Sequence, residues 1–298
     1  MMRELVIVSG KGGTGKTSIT AGFASLAANC ILCDADVDAA DLHLLMQPVV
    51  VQTTEFMGGS KAEIRQDDCV ACGTCRDLCL FDAIRADFVV DPLNCEGCGV
   101  CVDFCPEKAI DFPVQKSGEW YISDTKFGPM VHARLGIAQE NSGKLVSLVR
   151  REAEKIAQEK GADLILTDGP PGIGCPVIAA IGGATALVII VEPTVSGIHD
   201  LQRVAELAEH FKVPAMVCIN KFDLNAAMAS EIKGLCAQRG ITVVGSIPFD
   251  PIFTKAMIQG KNVFEYDSAS KTAQLLREVW AEIMRVPAVS SQKIRKFL

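Results

Sequence analysis

The chain has 298 residues, 49% hydrophobic and 22% charged, which excludes a disordered or fibrous chain and suffices for one large domain or two smaller ones. All of its net charge of −7 falls between Glu55 and Asp111, where 12 Asp/Glu meet 5 Lys/Arg. That segment argues against nucleic acid as a partner and favours a basic redox or client protein, unless the acid serves only to keep a small surface module soluble. Thirteen cysteines and no basic-then-apolar leader predict a cytoplasmic chain with reduced thiols, so metal ligation and core packing are preferred to disulfides.

Leu5–Val8 is a continuous apolar run, as in a buried strand, and Thr17–Ala28 has a helical pattern. Between them Ser9–Ser18 reads S-G-K-G-G-T-G-K-T-S, and Gly10, Gly15, Lys16 and Thr17 satisfy the phosphate-loop spacing. Backbone N–H groups of Gly10, Gly12, Gly13, Thr14, Gly15 and Ser18 can wrap phosphates there. Lys16 adds charge, and Thr17 offers a hydroxyl to Mg²⁺. Lys11 is not required by an ordinary phosphate loop. With it the stretch resembles the deviant phosphate-loop ATPases, the superfamily of MinD, Mrp-type scaffold proteins and the nitrogenase iron protein. The resemblance implies that Lys11 reaches across a dimer interface to the partner's nucleotide.

Cys30–Cys33 is a second short strand, followed by Asp34, Asp36 and Asp38. Alternating carboxylates at a strand end are costly unless they face a cation or water. The resemblance makes this the first switch, with Asp34 near Mg²⁺ and either Asp36 or Asp38 orienting the attacking water; the sequence does not separate these two.

From about Pro48 the pattern of long strands and helices stops, and two cysteine-rich copies follow about 26 residues apart. One is Cys69-x₂-Cys72-x₂-Cys75-x₃-Cys79; the other is Cys95-x₂-Cys98-x₂-Cys101-x₃-Cys105-Pro106. This is the bacterial ferredoxin spacing, in which three cysteines of a run bind one 4Fe-4S cluster and the fourth binds the other. Cys69, Cys72, Cys75 and Cys105 are therefore expected around one cluster, and Cys95, Cys98, Cys101 and Cys79 around a second. Zinc is less suited, since its sites pair their cysteines with longer gaps. The first run departs from the usual pattern in having Leu80 where proline follows the last cysteine.

After this insert, 119–123 and 130–137 read as strands and 143–160 as a helix; Glu140 and Asn141 either approach the nucleotide or cap that helix. Leu164–Asp168 is a buried strand leading into Gly169-Pro170-Pro171-Gly172. The resemblance reads this D-x-P-P-G as the second switch, with Asp168 holding Mg²⁺ through water and Gly172 sensing the γ-phosphate. The uncharged run Gly169–Val191 is broken by Pro170, Pro171, Pro176, Gly182 and Gly183, so it is a loop, a short helix and a buried strand rather than a membrane span. Cys175 stands where the nitrogenase iron protein has a bridging-cluster ligand, but no second cysteine accompanies it. It is expected to be a buried thiol behind the switch, and Cys30, Cys33, Cys218 and Cys236 to be core. The C-terminal C-x-x-C of Mrp-type scaffolds is also missing.

A helix over 196–211 and a strand over 215–219 lead to Asn220-Lys221-Phe222-Asp223. An Asn side chain offers donor and acceptor together, matching an adenine edge. The resemblance gives Asn220 that role, with Pro248-Phe249-Asp250 covering the base. N-K-x-D also occurs in GTPases, which leaves GTP open. A closing helix over 268–284 precedes a basic tail, Lys293–Leu298, faintly like the membrane-targeting end of MinD and read as a frayed end, so stable membrane binding is not expected.

Strands alternating with helices predict an α/β fold, a mostly parallel sheet with helices on both faces and ligand at the carboxyl ends of the strands. Residues 1–53 and 114–298 would form the phosphate-loop ATPase domain, and 54–113 an inserted α+β domain of bacterial-ferredoxin type with two 4Fe-4S clusters. The resemblance implies Mg·ATP binding, ATP-dependent homodimerisation or pairing with a paralogue, and hydrolysis, with Lys11 and Lys16 neutralising developing phosphate charge. Three uses of hydrolysis are compatible with the sequence: ATP-gated electron transfer, iron–sulfur cluster delivery, and MinD-like positioning.

Overall fold

The apolar runs become the strands of a sheet covered on both faces. The computed structural model describes residues 2–136 and 142–290. In chain order the elements are β1 (Arg3–Ser9), α1 (Lys16–Leu26), β2 (Cys30–Asp34), α2 (Leu42–Met46), β3 (Val49–Ser60), β4 (Glu63–Ile64), α3 (Thr74–Leu78), α4 (Val100–Asp103), β5 (Ile110–Asp111), β6 (Val114–Thr125) and β7 (Gly128–Leu135). Then come α5 (Ser142–Lys160), β8 (Leu164–Pro171), α6 (Cys175–Ile181), β9 (Ala186–Val191), α7 (Val195–His210), β10 (Ala215–Asn220), α8 (Ala226–Gln238), β11 (Thr242–Ile247), α9 (Ile252–Ile258), α10 (Val263–Asp267), α11 (Lys271–Arg285) and α12 (Pro287–Ser290).

The chain divides into two units. One takes the residues up to Thr54, Trp120–Arg134 and those from Ser142 on; the other takes Glu55–Glu119 and begins again at Leu135. The strand order is β11-β10-β9-β1-β8-β2-β7-β6-β3, and every pairing from β11 to β7 is parallel. Leu5, Ile7, Leu164 and Leu166 join a core cluster with Phe23 of α1 and Leu276, Val279 and Ile283 of α11. The alternate residues Val6, Val8 and Ile165 are equally buried, as a strand covered on both faces requires. Helix α5 lies against β2 and β8, burying Leu145, Val146, Val149, Ala153 and Ile156 at helical spacing.

The chain leaves β1 through α1 towards β2, and leaves β8 through α6 towards β9 on the other side of β1. Connections diverging in this way open a crevice at the carboxyl ends of the central strands, where ligands of open α/β sheets bind. The register sets Asp168 beside both Ile7 and Asp34 at that end.

The smaller unit has the antiparallel pair β4–β5, with Ile64 opposite Ile110, and the short helices α3 and α4. Its core cluster is built on Ala62, Cys75, Ile84 and Ile110. Three left-handed backbone positions recur in pairs: Ala71 and Gly97, Gly73 and Gly99, Asp82 and Lys108. Each pair has the separation of the two cysteine runs, so the repeat in sequence is also a repeat in backbone conformation.

Contrary to the expectation from sequence, regular structure does not stop at Pro48: β3 runs for 12 residues from Val49. Val49, Val50 and Val51 are all exposed, so the first part of this edge strand lacks the alternation that marks a half-buried strand, which begins only over 54–58. Glu140, Asn141 and the tail Lys293–Leu298 lie outside the described residues. Among the described residues no helix is long and apolar enough to cross a membrane.

Candidate functional site

The loop between β1 and α1 is shaped by its glycines. Gly15 has φ +86°, and a Cβ there would stand 2.6 Å from the Asn220 amide nitrogen, so a side chain is excluded by both backbone and space. Lys16, the first residue of α1, is buried and ion-paired to Asp168 Oδ1 at 3.0 Å and Asp36 Oδ2 at 3.2 Å. Burial alone would lower its pKa, yet Asp168, Asp36 and Asp34 around it hold it above the ordinary 10.5. Thr17 Oγ1 donates to Asp168 Oδ2 at 2.7 Å, and Thr20 Oγ1 lies 3.0 Å from Asp168 Oδ1. Asp34 accepts from the backbone N–H of Asp36 and of Leu42.

Three carboxylates thus share one ammonium inside the fold. Burial, and then the neighbouring Asp168 charge, push the Asp34 carboxyl well above the usual carboxylate range. Burial raises Asp36 as well, against the pull of Lys16. Such excess negative charge is relieved by a cation. Among the described residues no three His, Cys, Asp or Glu side chains converge on one point as ligands of a single ion. Mg²⁺ keeps water and phosphate oxygens and takes only one or two carboxylates, which Asp34 and Asp168 at the strand ends could supply. The two candidates for orienting water part here: Asp36 lies against Lys16, whereas Asp38 is exposed. Gly172 has φ +89° and donates its N–H to the Ser9 carbonyl at 2.9 Å, tying segment 169–172 to the phosphate loop.

Lys11 Nζ is 3.5 Å from Glu192 Oε2 and 3.3 Å from Ser196 Oγ. The other oxygen of Glu192 pairs with Lys221, whose Nζ also donates to the Gly13 carbonyl at 3.0 Å. Glu192 therefore holds two lysines, one in the phosphate loop and one in N-K-x-D. Sequence reasoning misses both Glu192 and Lys221; the N-K-x-D motif is the only signal that points near them.

Asn220 Nδ2 donates to the Thr14 carbonyl at 2.7 Å, bracing the loop from beneath. Its Oδ1 is buried with no partner, as is Thr14 Oγ1. A buried unpartnered acceptor is costly and is available to an amino group of a bound base. Asp223 Oδ1 accepts from the Phe249 N–H at 2.6 Å, and its exposed carboxylate keeps a second oxygen, so GTP stays open. Pro248 is half-buried beside the exposed Phe249.

In the smaller unit the cysteines line two cavities, with empty volumes of about 350 and 390 Å³ counted out to solvent. Cys69, Cys72, Cys75 and Cys105 line one; Cys79, Cys95, Cys98 and Cys101 line the other. Each run thus lends its last cysteine to the other's cavity. Burial and then the nearby Cys95 and Cys98 push the Cys101 thiol up to about 11, while hydrogen bonding to Thr74 lowers Cys72. The Ala109 N–H points at Cys105 Sγ at 3.3 Å.

Cys30, Cys33, Cys218 and Cys236 are buried, but Cys175 is exposed, against the expectation of a buried thiol. It opens α6, which buries Val177, Ala180 and Ile181, so the inward stripe begins two residues after it.

The model of the CobQ/CobB/MinD/ParA nucleotide binding domain matches residues 5–263. An uncharacterized protein of Methanocaldococcus jannaschii is 33% identical over 286 residues, covering 95% of this chain and 97% of that protein. An uncharacterized ATP-binding protein of the same organism is 24% identical over 304 residues, covering 99% and 93%. Among solved structures, the septum site-determining protein MinD complexed with Mg-ADP from Pyrococcus horikoshii aligns with TM-score 0.59 at 18% identity, covering 98% of this chain and all of that one. The central parallel sheet, the phosphate loop on its first strand and the matched span agree: this chain belongs to the CobQ/CobB/MinD/ParA nucleotide-binding family.

Proposed function

We propose that the protein is a Mg·ATP-dependent, dimerising ATPase coupled to a two-cluster ferredoxin module, and that its nucleotide switch gates electron transfer to a partner protein. The observation that carries the reading is the pair of four-cysteine cavities in one chain with a phosphate-loop site. A cubane spreads its thiolates over the corners of the cluster, whereas a single zinc would gather four sulfurs at about 2.3 Å from one point. Cys69, Cys72, Cys75 and Cys105 would hold one 4Fe-4S cluster and Cys79, Cys95, Cys98 and Cys101 the other, supplying one-electron redox chemistry when bound.

At the nucleotide site Gly10, Gly12, Gly13, Thr14, Gly15 and Ser18 bind phosphate, and Thr17, Asp34 and Asp168 would hold Mg²⁺. Lys16 neutralises the transferred phosphoryl group, which requires it to exchange its present carboxylate partners for phosphate oxygens. Asp36, buried beside Lys16, is then freed to orient the attacking water, with the exposed Asp38 as the alternative. Asn220 and Pro248 contact adenine. Lys11 leaves Glu192 to reach the partner subunit's nucleotide, so that dimer closure and phosphate binding are one event.

Protein purified without oxygen should hold about eight iron atoms per chain. Transfer of electrons from reduced protein to an acceptor should change on adding ATP and not change in Lys16→Ala. Iron near zero after anaerobic preparation overturns the module. Iron that moves to an apo-protein during turnover overturns electron transfer in favour of delivery.

A further inference from the structure

The two cysteine cavities face different surroundings. The one charged residue lining the cavity of Cys72 is Glu107, and Arg65 nearby is already paired with Asp68 and Asp111. The Arg76 guanidinium stands 5.9 Å over the ring of Phe88, which lines that cavity, and Arg65 bonds the Lys108 carbonyl beside it. Of its lining apolar residues Val70 and Pro106 are exposed, and they stand apart in sequence. Around the cavity of Cys98 the lining residues Leu78, Phe81 and Val100 are all exposed, and Leu80, between Cys79 and Phe81, is 90% exposed.

This apolar patch is flanked in sequence by Asp77, Asp82, Glu96 and Asp103, all exposed and none in an ion pair among the described residues. No lysine or arginine lines either cavity, so the difference between them lies in the apolar mouth and its unpaired acids. An apolar centre with an unpaired acidic rim has the anatomy of a transient protein interface, whose complement is an apolar patch ringed by lysine and arginine. Leu80 stands where the second run has Pro106, so the two copies differ just where the patch is widest.

We propose that the Cys98 cavity is the electron port of the protein, and that its mouth docks a basic one-electron carrier protein through Leu78, Leu80, Phe81 and Val100. The inference rests on the reading of the cysteines as cluster ligands. One electron crosses per encounter: the reduced module is oxidised by one electron, the carrier is reduced by one, and no atom is transferred. A low-potential one-electron donor reduces the module beforehand.

The test uses the full chain reduced with dithionite, freed of excess reductant and mixed with ferric horse cytochrome c as the basic probe. In Leu80→Gln/Phe81→Gln the second-order rate should fall about tenfold, as for the loss of two interface anchors, with iron content and visible spectrum unchanged. Val70→Gln at the other cavity should leave the rate within about twofold, because it lies outside the interface. The wild-type rate should also fall steeply with added salt. Equal losses from both variants, no loss from the double variant, or a rate indifferent to salt would overturn the port while leaving the clusters intact. Protein without iron would instead overturn the cluster reading, and the port with it.

Discussion

Around Lys16 the fold surrounds three carboxylates and one ammonium with strands buried on both faces, all held by backbone and side-chain hydrogen bonds. Around Cys75 and Cys101, by contrast, the core cluster is built on four small or medium side chains, one of them itself a cysteine. The large unit can form its site without ligand, because the sheet's burial provides the stability and the nucleotide only rearranges partners. On the proposed reading, a small unit whose cysteines double as its core would depend on the clusters they hold, as metal-folded domains do.

The largest test of this contrast is at Lys16. Lys16→Ala should lower ATP hydrolysis by about a thousandfold or more, since it removes the main positive charge facing the transferred phosphate. A steady-state phosphate-release assay reads it, and turnover above a tenth of wild type would refute the site. Iron removal comes next. Chelation under reducing conditions should speed protease cleavage between Lys61 and Asp111 by about a hundredfold, with ATP affinity changed less than about twofold. Equal resistance before and after chelation would erase the contrast.

A smaller effect belongs to His132, which is stacked on Tyr121 with ring centroids 4.9 Å apart and lies 2.9 Å from Ser123 Oγ. Burial, aided by His43, lowers its pKa from 6.5 to about 4. The folded state therefore binds fewer protons than the unfolded chain between those values, so this contribution is present above pH 6.5 and lost as pH falls towards 4. Relative to His132→Gln, the wild type should lose about 2 kcal/mol across that window, measured by urea unfolding. A constant difference between the two proteins would show that His132 is not held neutral. Smallest is Lys11→Ala, expected to weaken ATP-dependent dimerisation about tenfold by sedimentation while nucleotide binding by the monomer persists.

How far each region can be read from sequence follows from the same contrast. Strands β1, β8, β9 and β10 are continuous apolar runs because helices cover both faces, and the phosphate loop is a contiguous motif. The cysteine runs are regular enough for spacing alone to group their members. What escapes is set by distant partners or by exposure. Glu192 meets Lys11 and Lys221 only through the fold. The exposed valines of β3 offer no alternation to read, and α8, β11, α9 and α10 contribute too few motifs to be assigned. At Cys175 an apolar neighbourhood in sequence suggests burial, whereas the first turn of α6 turns outward.

The paired left-handed positions and the exchanged last cysteines make the two halves of the small unit near copies that are closed only by each other. Because each run lends its last cysteine to the other's cavity, a change of spacing in one run alters the lining of both. The interlock is a constraint of the fold: residues around each mouth can differ between the copies, as Leu80 differs from Pro106, while the spacing of the cysteines cannot differ without disturbing both cavities.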